Sequence, residues 1–114
     1  MSAFISNVTF DCRDPRQLAP FWAAVTGYTV LMEQDDFVAL QAPDHRGLRR
    51  ILFYRVPEPK ASKSRMHVDL AAQEPDAEIE RLVALGAQIV ERRDGHGASW
   101  TVMLDPEGNE FCIG

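Results

Sequence analysis

One of the chain's 3 histidines, His67, stands two residues before a carboxylate in the run Met66-His67-Val68-Asp69-Leu70. On an extended strand that spacing puts both side chains on one face. An imidazole titrates near neutral pH, and a neighbouring carboxylate can hold it in the tautomer that accepts a proton. His67 and Asp69 are therefore the candidate catalytic pair. A cavity-lining histidine bonded to its neighbour is the plainer reading of the same residues. Asp11 and Asp69 hold nearly matching places in the two halves of the chain. Brought close and shielded from water, one of two such carboxyls stays protonated and can act as an acid; apart, both are solvated. Cys112 is a reactive thiol only beside a positive group, and otherwise a small buried hydrophobe. Phe53, Tyr54 and Trp100 supply either core or cavity wall. Arg49, Arg50, Arg55 and Arg65 attract an anion or are simply solvated, and His45 has no partner visible in the sequence.

The elements that must position these residues repeat once. Asn7-Val8-Thr9-Phe10 leads to Asp14-Pro15 as His67-Val68-Asp69-Leu70 leads to Glu74-Pro75, and each proline opens an apolar helical pattern ending at Gly27 or Gly86. Phe37 to Leu40 precedes Pro43-Asp44 as Trp100 to Met103 precedes Pro106-Glu107. A period of half the chain is a single duplication. The reading is two βαβββ modules, about residues 1–57 and 64–114, in one domain of the α+β class.

In the first module Ile5 to Cys12 reads as a strand, with Val8, Phe10 and Cys12 on one face and Asn7, Thr9 and Asp11 on the other. Asp14 suits a helix cap and Pro15 the first helical position. Leu18, Phe21, Trp22 and Val25 follow helical spacing, although Pro20 requires either a later start or a kink. Tyr28 to Glu33, Phe37 to Gln41 and Arg50 to Val56 read as strands, with a loop at Pro43 to Gly47. Pro57 to Ser64 has linker composition. In the second module Arg65 to Ala71 is a strand. Pro75 to Leu85 is a helix with Ile79, Leu82, Val83 and Leu85 as its apolar stripe. Gln88 to Arg92, Ser99 to Leu104 and Glu110 to Ile113 are strands. Asp94-Gly95-His96-Gly97 is a turn or a flexible lip, and Asp105 to Asn109 a tight turn.

The composition excludes several classes. A formal net charge of −5 is wrong for a general nucleic-acid binder or for an anionic membrane surface. Nothing resembles a signal peptide or a spanning segment, so the expected location is the cytoplasm. The 2 cysteines, Cys12 and Cys112, make no disulfide framework.

Asp14-Pro15 with Phe21-Trp22 and Gly27, then Met66 to Leu70, then Leu104-Asp105-Pro106-Glu107-Gly108-Asn109-Glu110-Phe111, together resemble the glyoxalase/bleomycin-resistance/extradiol-dioxygenase superfamily, the vicinal oxygen chelate proteins. The likeness covers essentially the whole chain and is nearest to short glyoxalase-like domain proteins. It implies two βαβββ modules curling into a half-open barrel around a cavity, and often a homodimer, for which Phe4 and Ile5 are candidate contacts. Metalloenzymes of this superfamily carry His or Glu ligands on four strands. Those positions fall here on Asn7, near Phe53, on His67 and on Cys112, with Glu110 sharing the face of Cys112. One matching ligand does not hold a metal, so no cofactor is expected. A divalent ion bound loosely by His67 and Cys112, helped by Glu110 or Asp69, is the minor alternative.

The resulting expectation is a small-molecule binding protein with a cavity lined by Asn7, Thr9, Asp11, Phe53, His67, Asp69, Trp100 and Cys112. Its chemistry, if any, is metal-independent lyase or isomerase chemistry by His67 with Asp69. A drug-sequestering protein of the bleomycin-resistance kind is the alternative, and a metal-dependent lyase or dioxygenase with an atypical ligand set the second.

Overall fold

The computed structural model describes residues 7–43, 49–64, 66–95 and 97–114. Phe4, Ile5, Asp44, His45, Gly47, Arg65 and His96, named above, lie outside them, as does most of the loop expected at Pro43 to Gly47. The chain divides into two compact units, Met1–Pro59 and Lys60–Gly114. Each holds one βαβββ module, so the fold is α+β with a mixed sheet and a helix in each module. No helix among the described residues is long and apolar enough to cross a membrane.

The first unit runs β1 (Val8–Cys12), α1 (Pro15–Thr26), β2 (Thr29–Glu33), β3 (Phe37–Gln41) and β4 (Arg50–Arg55). Its open sheet has the order β1-β4-β3-β2, with β1 parallel to β4 and the other pairs antiparallel. Alternation sorts the faces. Phe10 pairs with Phe53 and Phe53 with Val38, and this face meets α1 through Trp22. The rings of Phe53, Phe10 and Trp22 stack in series, with centroids 5.4 Å apart at each step. Thr9 pairs with Leu52, and Asp11 with Tyr54, on the opposite face, where Tyr54 stacks on Phe37.

Helix α1 starts at Pro15 and continues through Pro20 to a left-handed stop at Gly27 (φ 77°). Pro20 has no N–H to give the preceding turn, which costs about 3 kcal/mol inside a helix. Complete burial of Leu18, Ala19, Phe21 and Trp22 outweighs it, at roughly 1.5–3 kcal/mol per large apolar side chain. Asp14 occupies the cap position, but its side chain makes no capping bond. Its carboxylate instead faces Arg55 at 3.8 Å. Arg55 in turn donates to the carbonyls of Arg13 and Asp35.

The second unit repeats the plan with β5 (Val68–Leu70), α2 (Pro75–Ala84), β6 (Gln88–Gly95), β7 (Ala98–Leu104) and β8 (Glu110–Ile113). The sheet order is β5-β8-β7-β6, and β5 runs parallel to β8. Even the irregularities match: the β2–β3 register shifts at Leu31 and the β6–β7 register at Val90. Ile79 and Leu82 of α2 are buried with Met103, Phe111 and Ile113. Val83 and Leu85, expected in the same stripe, remain substantially exposed. Strand β6 is longer than its sequence suggests. Pairing continues to Gly95 opposite Ala98, so Asp94 and Gly95 belong to a hairpin strand and not to a loose lip.

Candidate functional site

The period of two along each strand decides what the second unit's sheet shows on either side. Thr101, Met103, Phe111 and Ile113 go to the buried side. The residues between them face the other way: Asp69 pairs with Cys112, Cys112 with Val102, and Val102 with Glu91, while Trp100 pairs with Arg93. This second face forms the wall of a pocket of about 870 Å³. A volume of that size suits a small organic molecule. Leu70, Val90, Trp100 and Val102 give it an apolar surface, and His67, Asp69 and Cys112 a polar corner.

His67 immediately precedes β5, and its Nδ1 lies 3.2 Å from Asp69 Oδ1. A proton on Nδ1 given to that carboxylate leaves Nε2 with its lone pair. The two side chains are 44% and 73% exposed. Water therefore screens the pair, and its contribution to stability is small. Cys112 is half-buried on the neighbouring strand. Burial first, and then the charge of Asp69, push its thiol up, against a weaker opposing pull from Arg93 and Lys63. It is a protonated thiol hydrogen-bonded to Asp69, not a poised nucleophile.

Glu110, the carboxylate expected to assist a metal, is engaged elsewhere. Lys60 Nζ donates to Oε1 at 2.8 Å and the Ser64 amide to Oε2 at 3.1 Å. Burial pulls this carboxyl upward, but those two donors outweigh it and hold it at about 2. The bonds also fasten the segment before His67 to β8. Donor atoms of His67, Asp69 and Cys112 all lie within 4.8 Å of one another. Imidazole nitrogen, carboxylate oxygen and a cysteine sulfur that gives up its proton are the donor types that could hold zinc or a similar ion.

The remaining candidates divide. Trp100 lines the pocket with His67, Asp69 and Cys112. Asn7, Thr9 and Asp11 belong to the first unit, where Asn7 Nδ2 donates to Thr9 Oγ1 at 3.1 Å. Thr9 and Asp11 share their face with Leu52 and Tyr54. Phe53 is not a cavity residue. It is wholly buried against Phe10 on the helix side of its sheet. The step of one residue along β4, to Leu52 or Tyr54, is what separates the two faces. Sequence reasoning passed over Lys63, Val90 and Arg93, which also border the pocket. Arg93 is ion-paired with Glu91 two residues away, a same-face i, i+2 spacing that was readable once β6 was known to be long.

Residues 7–114 match the family model described as a glyoxalase-like domain. Comparison with curated proteins gives no match. Among solved structures, a glyoxalase/bleomycin resistance protein/dioxygenase family enzyme from Burkholderia phytofirmans is 20% identical. The alignment covers 97% of both chains with a TM-score of 0.80. A fosfomycin resistance protein from Listeria monocytogenes, in complex with manganese and a dihydroxypropylphosphonic acid, is 17% identical. There 99% of this chain and 90% of that one are covered, with a TM-score of 0.80. A bleomycin-binding protein from Streptomyces verticillus, in complex with copper-bleomycin, is also 17% identical, over 99% and 97%, with a TM-score of 0.66. At these identities the likeness is one of fold.

Proposed function

The chain belongs to the glyoxalase-like domain family, and from that premise we propose that it binds a small organic molecule in the pocket of its second unit, with His67 moving a proton. One observation carries the reading: a space of about 870 Å³ with a largely apolar wall is bordered by the cluster of His67, Asp69 and Cys112. Such a cluster orients a ligand, while the apolar wall supplies most of its binding. His67 Nε2 accepts a proton from the bound molecule, the opening step of isomerase or lyase chemistry. Asp69 keeps the ring in that tautomer and stabilises the imidazolium that results. Lys63 and Arg93 at the border favour negative charge developing on the ligand. In this reading the protein acts in the cytoplasm as a homodimer, and light scattering of the purified protein checks the second part.

A native mass-spectrometry screen against a metabolite library tests the binding, followed by turnover assays on any retained compound. His67→Ala is expected to keep binding and lose roughly 10²–10⁴-fold in turnover. A screen that retains nothing, or an Ala variant as fast as the parent, overturns the reading. The copper-bleomycin complex of one structural neighbour and the net charge of −5 favour a second reading, sequestration of a cationic drug. Titration with a cationic glycopeptide tests it; affinity weaker than about micromolar removes it.

A further inference from the structure

We propose, resting on the ligand reading above, that Lys63 determines the specificity of the second unit's pocket and selects organic anions, a monocarboxylic acid with an apolar body being the type. Among the described residues, the acidic side chains bordering the pocket are Asp69, Glu91 and Glu110. Glu91 is ion-paired with Arg93 two residues along β6. Glu110 accepts Lys60 Nζ at 2.8 Å on Oε1 and the Ser64 amide at 3.1 Å on Oε2. Asp69 faces His67 Nδ1 at 3.2 Å. Each of these anions has its partner close by, and among the described residues none of them pairs with Lys63. An ammonium left over beside an apolar wall draws an anion more strongly than one on open surface, because the wall concentrates its field.

The strap of residues 60–64 holds Lys63 in place. Lys60 is fastened to Glu110 and, at 2.6 Å, to the Ser62 carbonyl. Ser64 is fastened to the same carboxylate. The Lys60 and Glu110 side chains are only 21% and 15% exposed, so salt and water loosen the clasp little. The backbone on both sides of Lys63 is thus set before a ligand arrives, which reduces the ordering cost of binding. Burial and then Asp69 raise the Cys112 thiol, and Arg93 and, less strongly, Lys63 oppose them. That order sets Asp69 nearer to Cys112 than the free ammonium is. A carboxylate seated on Lys63 therefore keeps its charge away from Asp69 and leaves the apolar body to Trp100 and Val102, which wall the pocket. One ammonium matches one negative charge. A dianion such as a phosphonate would turn a second charge toward Asp69 and Glu91, and a cation would be repelled by Lys63.

Matched acids and primary amides test the selection. The purified protein is screened by native mass spectrometry against carboxylic acids with aliphatic to bicyclic aromatic bodies, each beside its own carboxamide. Retained pairs are then titrated by calorimetry. Acids are expected to bind at least about tenfold more tightly than their amides. Lys63→Met should abolish that preference and leave amide affinity unchanged, and Lys63→Arg should keep it. Lys63 is exposed, so neither substitution should disturb folding, which circular dichroism checks. Glu110→Gln, which unfastens the strap, should narrow the preference; full retention there overturns the clasp as what positions Lys63. An amide that binds as well as its acid, or an acid preference that survives Lys63→Met, overturns the selection and leaves the ligand reading standing. Retention of neutral or cationic compounds alone from the metabolite library has the same consequence. Libraries that yield no ligand of any kind overturn both.

Discussion

Asp105 offers the sharpest test of how the second unit holds its site in register. The residue is 3% exposed. Its Oδ1 accepts the amides of Glu107 and Asn109, each at 2.9 Å, and Oδ2 accepts Asn109 Nδ2 at 2.8 Å. Backbone bonds close the same turn, from Asp105 N to the Asn109 carbonyl and from Gly108 N to the Asp105 carbonyl, both at 2.9 Å. The turn joins β7 to β8 and so fixes Cys112 opposite Val102. Asp105→Ala removes three acceptances by a carboxylate. Full loss at about 1.5 kcal/mol each gives an upper figure near 4–5 kcal/mol. Glu107 and Asn109 are half-exposed, so water replaces part of this, and about 2–3 kcal/mol is expected. Thermal unfolding by calorimetry should then show Tm lowered by roughly 8–15 °C, with a matching fall in the urea midpoint. Asp105→Asn retains one acceptor but turns an amide toward Asn109 Nδ2, and should fall between the two. An Ala variant within about 0.5 kcal/mol of the parent, the range of an ordinary surface substitution, would show that the carboxylate does not hold the turn.

Other consequences follow from packing and charge. Phe53→Ala should cost about 3–5 kcal/mol, because the ring is fully buried in the Phe10–Trp22 stack. Urea unfolding checks this, and a cost below about 1 kcal/mol would restore Phe53 as an exposed wall. Glu110 has a folded pKa of about 2 against an ordinary 4.5, so its contribution is fully present above 4.5 and disappears as pH falls toward 2. Glu110→Gln should therefore lose about 3 kcal/mol at neutral pH and converge on the parent in acid. Parallel stability curves at pH 7 and pH 3 read the difference. A gap that does not shrink in acid would remove the Lys60–Glu110 bond as its cause. Gly108 has φ 83° with no atom within 4 Å of an added Cβ. Gly108→Ala should thus cost about 1–2 kcal/mol by backbone strain alone, measured in the same unfolding assay.

What the sequence made legible, and what it did not, divides along sequence separation. The duplication, both helices, the stop at Gly27 and the Asp105–Asn109 turn depend on residues a few positions apart, and their chemistry is written locally. Strand β6 was cut short because every residue before Gly95 is exposed. A two-stranded edge held by backbone pairing leaves no apolar alternation to read. Asp14 looked like a cap, yet Arg55, forty-one positions later, faces its carboxylate. The site follows the same rule. His67 and Asp69 were found through a spacing of two, but that Cys112 stands beside Asp69 depends on the β5–β8 register, which no local pattern encodes. Phe53 failed for the same reason in reverse. A one-residue uncertainty in a loop flips a strand's faces, and only its pairing with Phe10 settles the parity. Glu110 looked available as a ligand because Lys60 lies fifty positions away. Single-residue chemistry is thus readable from the chain, whereas a site is a statement about which strands pair and in what register. The same logic makes Cys112 informative: burial and then Asp69, its partner across the sheet, push its thiol up, so substituting Asp69 should lower it.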